Sequence, residues 1–260
     1  MGVLNVTPDS FYDGGRYVSV EAAVAHGLEL VAQGADIVDV GGESTRPGAQ
    51  PVPEAVEMAR VIPVVEALSA RVRLSVDTLK PAVAEAALRA GATLINDVSA
   101  SLWPLAAAGG AGWVAVHMQG SPPTMQAAPH YEDVVTEVAD FLVHRAEEAL
   151  AAGVEEVWID PGIGFGKTME HNLSLLHRLP ELVASAAAAG CAGVMVGTSR
   201  KRFIGLLAAP AGSKEPAGLE DRAEGSLATA AHAMVSGASM IRVHDVADMV
   251  QAARLYGPAA

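Results

Sequence analysis

Polar side chains stand at the end of nearly every short apolar segment of this chain. They are Asn5 and Thr7, Asp39 with residues 43–46, Asp77, Asn96 and Asp97, His117 and Gln119, Asp160, residues 199–201, and Arg242 with His244. A strand buried on both faces should end in apolar residues unless that end is used. One Asp, Ser or Asn at such a position often caps the next helix. Capping does not account for polar residues at all the segment ends, so the pattern predicts one functional site built from them.

Part of this set is cationic, although the chain as a whole is acidic. The members are Arg46, Arg200, Lys201, Arg242 and His244. A guanidinium group matches the geometry of phosphate and carboxylate oxygens. The cluster therefore indicates a substrate with an anionic group. The alternative is solvated surface charge, as lysine and arginine side chains are mostly exposed.

The other part supplies hydrogen-bond acceptors and an amide, from Asp77, Asn96 and Asp160. No obvious motif places a hydroxyl nucleophile beside them. Such a set fits recognition of a flat heterocycle that carries several donors. A hard cation such as Mg²⁺ is the alternative ligand, because carboxylate and amide oxygens without histidine favour it.

The segment VWIDPGIGFGKT (157–168) looks at first like a phosphate-binding P-loop. That pattern needs a glycine five positions before the Gly-Lys pair, so that successive backbone N–H groups surround a phosphate. Pro161 stands there, and proline has no N–H to donate. We interpret the segment instead as a strand that ends in a functional carboxylate, Asp160, followed by a turn.

Short apolar runs alternate along the chain with longer amphipathic ones. The runs begin near residues 3, 37, 74, 94, 113, 157, 194 and 240, and predicted helices cover 20–33, 52–68, 81–89, 102–109, 131–151, 171–187, 222–235 and 246–255. Glycines 34, 91, 153 and 237 fall where helices should end. Eight such units predict a single (β/α)8 TIM barrel domain over residues 1–260, with an irregular insertion at 208–220. An open doubly wound sheet is the competing architecture.

Composition excludes several classes of protein. The net charge of −13 argues against a general nucleic-acid or anionic-membrane surface. Every apolar run is shorter than the roughly 20 residues of a membrane span. Cys191 is the sole cysteine, so no intrachain disulfide can form, and we expect a reducing compartment and a cytoplasmic location.

Seven motifs distributed along the chain together resemble those of one family. They are GVLNVTPDSFYDGG (2–15), DVGGESTRPGA (39–49), SVDT (75–78), INDV (95–98), DPGIGFGK (160–167), GTSRKRFIG (197–205) and RVHDV (242–246). Their order, one per rim loop, is similar to that of bacterial dihydropteroate synthases. Each motif is short, but the set extends over almost the whole chain.

The resemblance implies a pterin-binding (β/α)8 enzyme of folate synthesis. Such an enzyme joins 6-hydroxymethyl-7,8-dihydropterin diphosphate to p-aminobenzoate with Mg²⁺ and releases pyrophosphate. By this resemblance, the residues that bind the pterin would be Asp77, Asn96, Met118, Asp160, Phe165 and Lys201. The residues that bind the diphosphate would be Thr45, Arg46, Arg242 and His244, and Asn5 would bind the metal. Phe11, Pro47, Ser199, Arg200 and Arg202 would form the aminobenzoate site. Lys201, Asp77 and Arg46 would be catalytic.

Three residues depart from the family's pattern, and two rival functions remain. Tyr12 stands where a smaller residue is usual, Ala100 where glycine is usual, and Arg202 where serine is frequent. A methyltetrahydrofolate-binding methyltransferase domain would need no diphosphate site. A pterin-binding paralogue without activity would not need Asn5, Arg46 and Lys201. The resemblance also implies a homodimer formed through the later helices.

Overall fold

The computed structural model describes residues 1–7, 19–45, 48–213 and 215–256, and strands and helices alternate along them. The strands are β1 (Gly2–Asn5), β2 (Ile37–Gly41), β3 (Arg73–Asp77), β4 (Leu94–Asp97), β5 (Gly112–Val116), β6 (Val157–Asp160), β7 (Gly193–Val196) and β8 (Met240–Ile241). The helices are α1 (Val20–Ala32), α2 (Glu54–Leu68), α3 (Pro81–Ala90), α4 (Trp103–Gly109), α5 (Val134–Ala151), α6 (Met169–His177), α7 (Leu179–Ala188), α8 (Arg202–Ala208), α9 (Ala223–Val235) and α10 (Val246–Tyr256).

All eight strands are parallel and follow one another in chain order in the sheet. The first and last strands meet through a parallel bridge between Gly2 and Val243, and Val3 N donates to Val243 O at 2.9 Å. The sheet is therefore closed, which confirms the predicted (β/α)8 barrel over the open doubly wound sheet. The carboxyl ends of all strands meet at one rim, where the loops that carry the polar residues also lie.

Alternation along each strand separates two apolar cores. Leu4, Val38, Val76 and Ile95 belong to the larger core, between strands and helices. The smaller core, inside the barrel, is formed by Ile37, Leu94, Val98, Val114, Val116, Met195 and Met240. Side chains two positions apart share a face of a strand. Asp39 and Ser75 therefore point into the barrel, on the same side as the rim residues Gly41 and Asp77.

The helices begin and end largely where their residues predict. Asp133 caps α5 by accepting from Val135 N at 3.0 Å, and Thr168 and His171 form a capping box at the start of α6. Glycines 34, 91, 153 and 237 follow helices with positive φ values of 101°, 112°, 90° and 97°, as predicted. No helix of the described residues has the length and apolar character to cross a membrane.

Two helix predictions need correction. The helix predicted over 171–187 is two helices, α6 and α7, because Pro180 stands in the first turn of α7, where a ring without N–H begins a helix more readily than it continues one. The sequence prediction also missed α8, which is only seven residues long. The 208–220 segment is irregular in its described part, as predicted, and leads into a 3-10 turn at Glu220–Arg222.

Candidate active site

Strand register brings the first polar residues into one layer at the rim. Asn5 pairs with Gly41, Gly41 with Asp77, and Asp77 with Asn96 across four neighbouring strands. Gly41 packs closely beside Asp77, since an added Cβ would be in van der Waals contact with the Cβ of Asp77, at 3.4 Å. Residues far apart in the sequence therefore form one continuous row.

A cavity lies above this row. Its lining residues are Thr45, Asp77, Asn96, Val98, Val116, Asp160, Phe165, Gly197, Lys201 and Arg242. The predicted convergence of Asp77, Asn96, Asp160 and Lys201 is therefore confirmed, and Thr45, Phe165 and Arg242 join them. Met118 packs against the barrel core, as Phe165 does, but it does not line the cavity.

A charged network forms the floor of the cavity. Arg242 donates through Nε to Asp39 Oδ2 at 2.6 Å and through Nη2 to Asp77 Oδ2 at 2.7 Å. Asn96 Nδ2 donates to the same Asp39 Oδ2 at 2.9 Å. Burial raises the pKa of Asp77 to about 7, and the positive charge of Arg242 opposes that rise. Burial lowers the pKa of Arg242, but the charges of Asp39 and Asp77 more than compensate and hold it above its ordinary value.

Asp160 and Lys201 face the cavity from the other side. Asp160 Oδ1 accepts from Gly162 N at 2.7 Å, and burial raises the pKa of this carboxyl group. Lys201 Nζ lies 4.6 Å from the ring centroid of Phe165 and donates to the carbonyl of Ile163. Burial lowers the pKa of Lys201 to about 8, while the charge of Asp160 opposes the shift. A buried cation over an aromatic ring suits a polar, planar ligand.

Side chains hold the β6–α6 loop (161–168) through four successive carbonyl groups. Lys201 donates to Ile163 O, Gln126 to Gly164 O at 2.6 Å, Lys167 to Phe165 O at 3.1 Å, and Tyr131 to Gly166 O at 2.9 Å. The loop cannot shift without breaking several of these bonds. Phe165 is therefore presented to the cavity by a rigid backbone.

Lys167 is buried and contacts both the β6–α6 loop and the end of β5. Its Nζ lies 2.8 Å from His117 Nδ1, and burial lowers the pKa of Lys167 to about 7. Burial and the neighbouring lysine lower the pKa of His117 to about 3, so the imidazole is neutral and accepts a hydrogen bond from the ammonium group. Lys167 thus binds backbone and imidazole within the protein, which agrees with rejecting the P-loop interpretation.

The remaining predicted anion-binding residues lie apart from this cavity. Ser199 Oγ lies 3.0 Å from His244 Nδ1 and accepts from His244 N at 3.2 Å. Arg200 has a left-handed backbone, with φ at 59°, and its guanidinium group pairs with Asp245. Arg200 and His244 line a second cavity of about 300 Å³. In this structure the cationic residues therefore line two cavities instead of the single one expected, and ion pairing and the Ser199 contact hold Arg200 and His244 at the second.

Several predictions fall elsewhere in the chain. Phe11, Tyr12, Arg46 and Pro47 lie outside the described residues. Arg202 is exposed in the first turn of α8 and does not line the cavity. Ala100 has a left-handed backbone with φ at 48°, a conformation that glycine adopts without strain. That conformation gives the physical reason why glycine is usual at this position.

The described residues contain no cluster of three His, Cys, Asp or Glu side chains suited to a metal ion. Asn5 is half-buried in the rim row, and its side chain has no hydrogen-bond partner within the described ranges. One amide oxygen suits a Mg²⁺ ion that takes most of its ligands from a bound phosphate group and from water. Asn5 is compatible with that type of site.

Sequence reasoning missed the roles of three residues around the cavity. The sequence marks Asp39 as polar without giving it a role, although a carboxylate two positions before a strand end shares the inward face. Lys167 draws attention only as a P-loop lysine. Tyr131 gives no signal, because its partner Gly166 lies 35 residues further along the chain.

Comparison with known proteins gives one consistent result. A family model described as a pterin-binding enzyme matches residues 1–244. The dihydropteroate synthase of Mycobacterium leprae (strain TN) is 46% identical over 267 residues, which cover 99% of this chain and 92% of the relative. Two solved structures of the Xanthomonas albilineans dihydropteroate synthase are similar throughout. The one with 4-aminobenzoic acid is 48% identical with a TM-score of 0.86, covering 98% of this chain and 90% of that one. The complex with 7,8-dihydropteroate is 45% identical with a TM-score of 0.83, covering 98% and 91%.

Proposed function

The chain belongs to the family of pterin-binding enzymes and, within it, to the dihydropteroate synthases, and from that membership we propose the activity of this site. It condenses 6-hydroxymethyl-7,8-dihydropterin diphosphate with p-aminobenzoate to give 7,8-dihydropteroate and pyrophosphate. The chain is thus a transferase of folate biosynthesis. The observation that carries the proposal is the convergence of Asp77, Asn96, Asp160 and Lys201 on one cavity.

The pterin ring occupies the cavity between the acceptors and Lys201. Asp77, Asn96 and Asp160 accept hydrogen bonds from the amino and ring N–H groups of the pterin. Lys201 donates to its carbonyl edge, and Phe165 packs against the ring, with Met118 nearby. Each buried donor of the heterocycle then has an acceptor, as affinity in a dry pocket requires.

The diphosphate extends from the pterin methylene towards Thr45, Arg46, Arg242 and His244. The contacts of Ser199 support a role for His244, because the Ser199 hydroxyl accepts from the backbone of His244 and can donate to Nδ1. The ring proton then resides on Nε2, from which it can donate to an anionic oxygen. Arg242 contributes charge while it remains bound to Asp39 and Asp77.

Mg²⁺ is the proposed cofactor, and Asn5 would be its protein ligand at the rim. When bound, the ion would neutralise charge on the diphosphate oxygens. Such an ion needs few protein ligands, because phosphate oxygens and water complete its coordination.

The reaction forms a C–N bond without a covalent enzyme intermediate. The bond between the pterin methylene carbon and the bridging oxygen breaks, and its electron pair leaves with pyrophosphate. The electron-rich pterin ring stabilises the cation that remains. The neutral aniline nitrogen donates its lone pair to the methylene carbon and then loses a proton. Lys201, Asp77 and Arg46 are the proposed catalytic residues, since fixed charges around the leaving group and ring lower the barrier.

The aminobenzoate site would be formed by Phe11, Pro47, Ser199, Arg200 and Arg202 near the start of α8. Arg222 Nη1 donates to Arg200 O at 2.9 Å, and Ser226 Oγ accepts from Arg200 N at 3.0 Å, so the loop backbone is anchored. An anchored loop with basic residues suits a carboxylate. Because Arg200 is paired with Asp245, Arg202 has the freer guanidinium group.

Two further properties are proposed from the surface and from the single thiol. Leu227, Val235 and Leu255 are exposed apolar side chains of α9 and α10, which supports a homodimer formed through these helices. The single, half-buried Cys191 supports a reducing compartment, for which the cytoplasm is the proposed location.

A pyrophosphate-release assay tests the activity. We expect release from the pterin diphosphate that depends on both p-aminobenzoate and Mg²⁺. Lys201→Ala and Asp160→Ala should abolish that release and leave the circular dichroism spectrum unchanged. Arg89→Ala, which breaks an exposed pair with Glu85, is the control and should keep full activity. Release without dependence on the amine would contradict the proposal and favour a pterin-binding protein of another activity.

A further inference from the structure

Asp39 is a buried carboxylate to which the proposed reaction assigns no task. It lies in the middle of β2, is completely buried, and points into the barrel below the cavity. Its Oδ2 accepts two hydrogen bonds, from Asn96 Nδ2 at 2.9 Å and from Arg242 Nε at 2.6 Å. Neither donor is on a neighbouring strand, so Asp39 joins two distant parts of the floor.

The bond to Asn96 determines which way that amide faces. An amide oxygen placed against a carboxylate would be repelled, so the nitrogen must face Asp39. Asn96 Oδ1 is then the atom left for a ligand, and it has no hydrogen-bond partner among the described residues. Asn96 also lines the cavity. A buried acceptor without a partner favours a ligand that brings a donor to it.

We propose that Asp39 is a positioning residue that determines substrate specificity, because it holds the Asn96 amide with its oxygen towards the donor edge of the pterin. The inference rests on the proposed function, since it assumes that a pterin occupies this cavity. A heterocycle with a 2-amino group supplies a donor to Asn96 Oδ1. A heterocycle with a 2-oxo group places an oxygen there, and two acceptors then face each other.

Asp39→Asn separates this role from a simple contribution to stability. The amide oxygen introduced at position 39 carries no charge, so it accepts from Asn96 more weakly than the carboxylate does, and the Asn96 amide is held less firmly in one orientation. The variant has the same size, and Arg242 keeps its bond to Asp77. Ser75→Ala is the matched control, because Ser75 pairs with Asp39 across β2 and β3, points into the barrel, and has a buried hydroxyl group without a partner among the described residues.

The experiment measures the affinities of 6-hydroxymethylpterin and of 6-hydroxymethyl-lumazine, its 2-oxo counterpart, by calorimetric titration. We expect the wild-type protein and Ser75→Ala to prefer the pterin strongly. In Asp39→Asn the ratio of the two affinities should fall by about tenfold, the effect of one mismatched buried hydrogen bond. Loss of affinity for both compounds with an unchanged ratio would assign Asp39 a structural role and overturn the proposal.

A second measurement decides the matter if Asp39→Asn does not fold. In the ¹⁵N-labelled wild-type protein without ligand, the side-chain N–H groups of Asn96 should already exchange slowly with water, because one faces Asp39. Rapid exchange that slows only when pterin binds would overturn the proposal, as would equal affinity of the wild type for both compounds. Failure of the wild type to bind either compound would instead contradict the proposed function.

Discussion

Lys201 illustrates how a residue proposed to be catalytic can oppose stability. Burial lowers its pKa from 10.5 to about 8, so its positive charge is unfavourable in the folded protein at neutral pH. Between those two values the unfolded chain binds more protons at this site than the folded one. The contribution of Lys201 to stability therefore improves as pH rises from about 8 towards 10.5, and its cost is greatest below pH 8.

We therefore predict that Lys201→Met loses activity but melts several degrees higher than the wild type at pH 7. The difference in Tm should shrink as the pH approaches 10, because the wild-type lysine then loses its charge. Differential scanning calorimetry of both proteins at pH 7 and near pH 10 measures this difference in Tm.

Lys80→Met is a suitable contrast in the same experiment. Lys80 Nζ contacts Glu43 and Glu57, and Glu57 is almost completely buried. Removing this ammonium group leaves a buried carboxylate unpaired, so Tm should fall at pH 7. If both variants melted lower than the wild type, burial of Lys201 would not oppose folding.

The positions of single residues were predictable where chain order alone determines them. Asp77, Asn96 and Asp160 lie at strand ends, and the ends of parallel strands in a barrel always meet. The role of Asp39 was not predictable in this way. Its partner Arg242 lies 203 residues away, and only the closed barrel brings them together.

Among the elements, the β6–α6 loop depends most strongly on glycine. Gly162 has a positive φ of 64°, and a Cβ at this position would lie 1.8 Å from the carbonyl oxygen of His117. Its N–H also donates to Asp160. A side chain at position 162 must displace the end of β5, the Asp160 carboxylate, or both.

We predict that Gly162→Ala lowers the free energy of unfolding by about 3 kcal/mol or more and abolishes pterin binding. Gly153→Ala is the matched control, since Gly153 also has a positive φ of 90° but nothing lies within 4 Å of its Cβ position. The control should lose about 1–2 kcal/mol, the cost of a left-handed backbone alone, and bind pterin normally. Urea unfolding and pterin titration compare the two. Equal losses would mean that the close contact with His117 is relieved without consequence.

The order of the elements followed from hydrophobic periodicity, but some of their ends did not. Short, near-continuous apolar runs located all eight strands, and longer amphipathic segments located most helices. The predicted and observed helices differ near Pro180. The apolar pattern continues through Leu179, which predicts one helix, but the backbone begins a new helix at that residue. The start of α8 is marked by no capping side chain, so its seven residues gave no boundary signal.

At the scale of the whole molecule, barrel closure is concentrated at one seam. Strand β8 is two residues long, and its pairing with β1 consists of the Gly2–Val243 bridge and the neighbouring backbone bonds. Arg242 follows β8 and crosses the interior to Asp39 on β2 and Asp77 on β3. The guanidinium group therefore holds the closing strand to β2 and β3 across the seam, in addition to its proposed contact with diphosphate.

This arrangement predicts that Arg242→Met destabilises the protein and opens the barrel at β8. Removing the cation leaves two buried carboxylates, so the free energy of unfolding should fall by about 3–5 kcal/mol. The loss should be greater at pH 8 than at pH 5, because Asp77, with a pKa of about 7, becomes neutral at the lower pH. Hydrogen exchange should accelerate first at Val3 and Val243.

Arg73→Met, which breaks a half-exposed pair with Glu156 at the other end of the strands, should cost only about 1 kcal/mol and leave the seam protected. Uniform acceleration across all strands in Arg242→Met would mean that the closing strand has no independent opening, and that Arg242 stabilises the barrel as one unit.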